Sequence, residues 1–303
     1  MVTEGLAVPA PAGRDLAAAA PWVAAAVAFT LLFWRPITGT ADLWWNDPDA
    51  GHGLLLVPTA VFLAWRAGLS PDRRGQALIG GLMLAGAVAL RYLSALAAEL
   101  FTMRLSVLAA MFAIVVFLWG MKQLRHWWLP AVLLLLSVPL PEMLISTLSL
   151  PLQFTASEIG AALLDWRHVP AGLDGNVILL ARPTPDGGFI AVTHLFVTEA
   201  CSGLRSLSAL LALGFLIGGI WLQTGWARAV LVLIAIPIAV GLNSIRVFLT
   251  GFAVYYIDEA LGEGVMHYTE GWAMFMAAFV VLGGAAWLLG RAERPLLRRR
   301  VAA

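Results

Sequence analysis

Thr198-Glu-Ala-Cys-Ser-Gly-Leu-Arg-Ser-Leu207 leads without a break into an apolar run that ends at Leu222. With its leading turn, that run is long enough to cross a bilayer, which takes about 20 residues of helix. The stretch holds the only cysteine of the chain, Cys201, and Arg205 follows four residues later, on the same side of any helix that begins there. A thiol and a guanidinium therefore share the mouth of a membrane helix. An arginine inside a membrane costs about 2.5–3.5 kcal/mol on insertion scales, so it calls for a partner or a task. A small packed cysteine beside a snorkelling arginine is the plainer account of the same residues. The rest of the chain weighs against it.

Of 303 residues, 61% are hydrophobic and 12% are charged. Soluble domains average about 45–50% apolar and about 25% charged, so the composition indicates an all-α polytopic membrane protein. Apolar stretches at Ala17–Phe33, Leu54–Trp65, Ala77–Leu96, Leu105–Gly120, Trp127–Ser146, Ser202–Leu222, Ala229–Thr250 and Gly271–Leu289 predict about eight transmembrane helices. The second is short and must borrow His52-Gly53 or Arg66. The first runs into Trp34-Arg35-Pro36 rather than a small-residue cleavage site, which predicts a retained helix. The net charge of +1 says nothing about nucleic acid, but no basic block of the needed kind exists outside the C-terminal tail, so no nucleic-acid partner is expected. One cysteine forms no internal disulfide, and no Cys/His cluster has zinc-ligand spacing, so neither a metal nor an organic cofactor is expected.

Charge orients the bundle. With both termini cytoplasmic, the inner segments hold Arg14, Arg66, Arg73, Arg74, Lys122, Arg125, Arg228, Arg291, Arg294, Arg298, Arg299 and Arg300. Their only acids are Glu4, Asp15, Asp72 and Glu293, and the positive-inside rule favours this orientation. The polar interval from about Leu148 to Glu199 then lies outside. Its first half, Leu148–Trp166, has the mixed polarity of an interfacial amphipathic helix. Its second half reads as turns at Ala171–Asn176 and Pro183–Gly188 around short strands at Val177–Leu180 and Phe189–Val197. This is a small, partly β extracytoplasmic flap that leads into Cys201. The whole reads as one integral membrane domain: five helices over 17–146, the interfacial segment and flap over 147–200, three helices over 201–290, and a basic cytoplasmic tail over 291–303.

The same topology brings two further groups to the level of Cys201. Asn243 and Arg246 share a face in Gly241-Leu-Asn-Ser-Ile-Arg-Val247, near the outer end of an outward-running helix. His267, in Gly264-Val-Met-His-Tyr-Thr-Glu270, precedes the last helix on the same side. These residue types suit acyl transfer. A thiolate is the nucleophile, favoured by a helix N-terminus and nearby cations. Histidine takes up and returns a proton, and arginine holds an oxyanion. Glu199 would oppose the thiolate if it faced the sulfur, so it is expected to face Arg205 or the flap. Interfacial anchoring of Arg246 and solvation of His267 account for each residue singly, but less well for three at one depth.

In Glu199-Ala-Cys-Ser-Gly-Leu-Arg-Ser206, Asn243-Ser-Ile-Arg246 and the isolated His267, the chain resembles the exosortases and archaeosortases, membrane cysteine transpeptidases that process C-terminal sorting signals. Trp45-Asn-Asp-Pro-Asp-Ala-Gly-His-Gly53, Ser137-Val-Pro-Leu-Pro141, Pro151-Leu-Gln153 and Gly175-Asn176 also resemble that family, from about Trp45 to about Trp272. Where the family carries Tyr-Ser ahead of His-Gly, this chain departs with Asp49-Ala-Gly. The resemblance implies a catalytic Cys201, Arg246 and His267. It also implies a bacterial inner-membrane thiol protease or transpeptidase, active on the periplasmic side. Its expected partners are exported proteins with a PEP-CTERM-type motif, a transmembrane helix and a basic tail, the membrane lipid, and an acceptor nucleophile.

Ser202, Arg205, Asn243 and Glu199 are expected around the triad as hydrogen-bonding or substrate groups, together with Ser206. His52 reads either as a partner at the triad's depth or as a helix cap beside glycines. Gly214 and Gly218 form a small-xxx-small pair that predicts close helix packing. Two other classes stay open. A transporter would use Arg205 and Arg246 as anion contacts and survive loss of Cys201. A non-catalytic partner of exopolysaccharide assembly would depend on none of the three.

Overall fold

A computed structural model describes residues 13–47, 50–183, 186, 189–196, 204–258 and 265–302. Ten helices and three strands are described: α1 (Gly13–Asn46), α2 (Gly53–Ala67), α3 (Ala77–Leu96), α4 (Leu100–Trp119), α5 (Met121–His126), α6 (Trp128–Leu136) and α7 (Glu142–Trp166), then β1 (Ala171–Asp174), β2 (Val177–Pro183) and β3 (Phe189–Phe196), then α8 (Leu204–Trp221), α9 (Gly225–Tyr256) and α10 (Val265–Ala302). The protein is mostly helical. Among the described residues, five helical segments are long and apolar enough to cross a membrane: Ala19–Asn46, Ala77–Leu96, Leu100–Trp119, Gly225–Tyr256 and Ala273–Pro295. Gly53–Ala67 and Ser206–Trp221 are apolar but shorter. With the family assignment reached below, this makes the chain a multi-pass membrane protein.

Several expected boundaries move, each for a local reason. α1 does not stop at Phe33; it carries Pro36 within it and continues to Asn46. The expected span Trp127–Ser146 is broken, because Pro139 and Pro141 cannot continue α6. The chain restarts at Glu142 as α7. α9 does not end near Val247 but continues to Tyr256, and α10 carries the basic tail in helix to Ala302. At about 1.5 Å per residue, the 32 residues of α9 reach about 48 Å, well beyond the roughly 30 Å hydrocarbon core.

The overhang of α9 carries a cap. The second half of α7 runs beside it in the same direction, each helix offering a glycine to the other's branched side chain. A Cβ on Gly160 would lie 2.7 Å from Val247 Cγ1, and one on Gly251 would lie 2.9 Å from Leu164 Cδ1. Ala156, Ala161 and Leu164 of α7, Val247 and Val254 of α9, and Ile178 and Leu180 of β2 form one buried cluster with Val169. One stripe of α7 is thus packed against protein, while Leu148, Phe154 and Trp166 of the same helix stay exposed. The expected flap is present as an antiparallel sheet in the order β1-β2-β3. Ala171–Asp174, expected as part of a turn, is instead its first strand, paired from Ala171↔Leu180 to Asp174↔Val177. The two-residue loop Gly175-Asn176 closes that hairpin, with Gly175 at φ 61°, as such turns require. β2 pairs with β3 from Val177↔Phe196 to Pro183↔Phe189, with a bulge at Leu180/Ala181.

Opposite the cap is the basic end. There the Glu293 carboxylate of α10 accepts hydrogen bonds from the Gln223 and Thr224 amides at 3.0 Å and from Thr224 Oγ1 at 2.7 Å, closing the α8–α9 turn. Gly214 and Gly218 face Val232 and Leu231 of α9, as their spacing predicts. The tighter glycine is Gly219, whose added Cβ would lie 2.5 Å from Leu129.

The α3–α4 turn is capped by Glu99, which accepts from the amides of Phe101 at 2.9 Å and Thr102 at 2.7 Å, and from the Thr102 hydroxyl. The Thr102 hydroxyl, followed by those amides, holds the Glu99 carboxyl below its ordinary value. A depressed carboxylate stabilises the fold above its unfolded pKa, and that contribution is lost as pH falls through the folded value. Thermal unfolding in detergent should therefore show Glu99→Ala costing about 0.5–2 kcal/mol at neutral pH. The difference from wild type should shrink towards zero as the solution becomes acidic enough to protonate Glu99.

Candidate active site

Arg246 stands 21 residues into α9, about 32 Å from its start and so close to one hydrocarbon thickness along the helix. Val247 is buried against α7, which fixes the rotation of α9 at this level. One residue back, the stripe Ala239, Leu242, Asn243 and Arg246 turns to a small cavity of about 40 Å³. Ser206 and Leu210 of α8 form its second wall, and Met274, Phe275 and Ala278 of α10 form its third. The cavity has room for an ordered water and not for a peptide. It holds a guanidinium at the junction of three helices.

The polarity of this level is built in. Asn243 is 7% exposed and Ser244 is fully buried. Ser244 Oγ donates to the Val240 carbonyl at 2.9 Å, and Thr250 Oγ1 donates to the carbonyl of Arg246 at 3.0 Å. Arg246 Nε is shielded from solvent.

Ser206, Asn243 and Arg246 thus come together as the sequence suggests. Glu199, Cys201 and Ser202 lie outside the described residues; Cys201 is three positions before α8. Arg205 falls in the first turn of α8 and His267 is the third residue of α10. The α10 wall of Met274, Phe275 and Ala278 was missed from sequence, although the spacing of 274 and 278 is its periodic signal.

His52 occupies the N-cap position of α2 but makes no side-chain cap bond. Its Nε2 lies 3.2 Å from the Leu136 carbonyl, and Trp44 Nε1 donates to the Ser137 carbonyl at 2.8 Å. Two separate stretches that carry the resemblance, around His52-Gly53 and Ser137–Pro141, therefore meet where α6 breaks and leaves its last carbonyls open. His52 does not line the Arg246 cavity. A Cβ on Gly53 would fall 2.2 Å from Trp44 Nε1. Gly53→Ala must push the indole off Ser137 and is expected to destabilise the protein by about 1–3 kcal/mol in thermal unfolding. A third such contact ties the flap to its helix: Asn176 Nδ2 donates to Gln153 Oε1 at 3.0 Å. Among the described residues, no group of His, Cys, Asp and Glu is arranged to hold a metal ion.

The comparisons with curated proteins and with solved structures gave no match. A family model described as transmembrane exosortase matches residues 44–284, which takes in every contact just described, from Trp44 to Ala278. By that match over most of its length, the chain belongs to the transmembrane exosortase family.

Proposed function

We propose that this chain is a cysteine transpeptidase or protease of a bacterial inner membrane, cleaving C-terminal sorting signals of exported proteins on the periplasmic side. The observation that carries the reading is the convergence of Ser206, Asn243 and Arg246 on one cavity walled by α8, α9 and α10. Of these helices, α8 follows Cys201 in the sequence and α10 carries His267. Eight spans, counting the short α2 and α8 and the broken α5–α6 segment, put both termini in the cytoplasm. The basic end then faces inward and the cap faces the periplasm. Residues 201–290 form the catalytic unit, and the flap over 171–196 lies directly upstream of the nucleophile.

In this mechanism the substrate's transmembrane helix docks laterally and presents its PEP-CTERM-type motif beneath the cap. The Cys201 thiolate attacks the scissile carbonyl carbon. Arg246 holds the oxyanion, steadied by Asn243. The C–N bond breaks as His267 delivers a proton to the leaving amine, leaving a thioester on Cys201. An amine acceptor or water then attacks the thioester and restores the thiol. Arg205, Ser202 and Glu199 shape the approach to the sulfur.

Expression of an exported reporter bearing the host's own sorting signal tests the reading. Loss of the signal helix with wild-type protein, and its retention with Cys201→Ala, is the expected result. Retention of the helix with both would turn attention to transport, since an anion carrier using Arg246 works without a thiol.

A further inference from the structure

Away from Arg246, two cavities lie at the basic end. One is a groove of about 890 Å³ between α1 and the α2–α4–α6 wall, lined among others by Phe29, Phe33, Ala64, Phe112, Val115 and Leu134. Trp22, Val61 and Phe117 on its lining are exposed, so it opens on the face that lipid covers. The other, of about 440 Å³, is polar and includes Asp72, Arg73, Arg74, Gln76 and Lys122. Both draw on the α4–α5 junction: Met121 and Lys122 line the polar cavity, whereas Leu118 of α4 and Leu124 of α5 line the groove.

The polar cavity is built rather than incidental. Its loop is pinned to the end of α4 by Arg74 N to the Trp119 carbonyl at 3.0 Å, Gln76 N to the Val116 carbonyl at 3.1 Å and Met121 N to Gln76 Oε1 at 3.1 Å. Gly120, at φ 84°, lets the Arg74 carbonyl approach so closely that an added Cβ would lie 2.0 Å from it. Three cations stand against one carboxylate. The Lys122–Asp72 pair, at 3.5 Å, is largely exposed and so weak. Arg73 Nη1 donates to the Ser70 carbonyl at 3.4 Å.

We propose that the two cavities form one site for an anionic phospholipid, with acyl chain in the groove and headgroup phosphate among Arg73, Arg74 and Lys122. The charge disfavours a segment with a basic tail, and a neutral lipid would leave the cations unused. This site does not depend on the acyl-transfer reading.

The full chain, stripped of lipid in a neutral detergent, would be titrated with dioleoylphosphatidylglycerol or dioleoylphosphatidylcholine and read by native mass spectrometry. One phosphatidylglycerol should be retained about tenfold or more tightly over phosphatidylcholine. Arg73→Ala, Arg74→Ala and Lys122→Ala together should abolish that preference and leave phosphatidylcholine binding unchanged. Ala64→Phe should weaken both lipids; if it fails to fold, the charge variant still decides. Equal retention of the two lipids, or a preference that survives the charge variant, overturns the proposal. Displacement of the lipid by a spanning peptide with a basic tail overturns it too, and reassigns the groove to a helix.

Discussion

Cys201→Ala should reduce processing of a sorting-signal substrate by about 10⁴-fold or more, because the chain holds no second thiol to take its place. Cys201→Ser should fall nearly as far, since a hydroxyl is a far weaker nucleophile near neutral pH than a thiol. The readout is signal loss from the reporter, followed over time in cells with equal protein levels. Because Cys201 is the only cysteine, maleimide labelling of wild type and its absence in both variants checks the substitution on the same samples. A transporter or an assembly partner would tolerate either change.

Arg246→Ala should lower the turnover rate by about 10²–10³-fold and leave KM little changed, the pattern of a group whose contact matters in the transition state. Arg246→Lys should recover only part of the loss, because an ammonium keeps the charge but not the planar fork of donors. The fold should survive the truncation. Arg246 borders an existing cavity of about 40 Å³, while the neighbouring Val247 holds the α7–α9 packing. Thermal unfolding close to wild type, together with a collapsed turnover rate, separates a chemical role from a structural one. If Arg246→Ala instead unfolded the protein, the guanidinium would belong to the scaffold.

The membrane class and the spans of α3 and α4 were legible because continuous apolar runs have one outcome in lipid. So was the flap, whose Gly175-Asn176 turn lies between short apolar runs. The approach of Asn243 and Arg246 to Ser206 followed from helix order and a three-residue spacing. Tertiary packing hid the rest. Nothing local marks Gly160 and Gly251 as partners, so the packing of α7 against α9 was not foreseen. The extent of α9 beyond Thr250 was missed because Val254 and Phe252 are apolar for the cap and not for lipid. The pairing of Trp44 and His52 with the open carbonyls of α6 joins positions more than 80 residues apart, which periodicity does not encode.

The central claim is that Cys201 carries the substrate as a thioester, and intact mass tests it most directly. The purified full chain would be mixed with a peptide carrying the sorting motif and its helix, then quenched in acid within the first turnover. Wild type should gain the mass of the peptide's N-terminal fragment, and hydroxylamine should remove it. Cys201→Ala should gain nothing. Cleavage of the peptide by Cys201→Ala at the wild-type rate, with no adduct on either protein, would contradict the account.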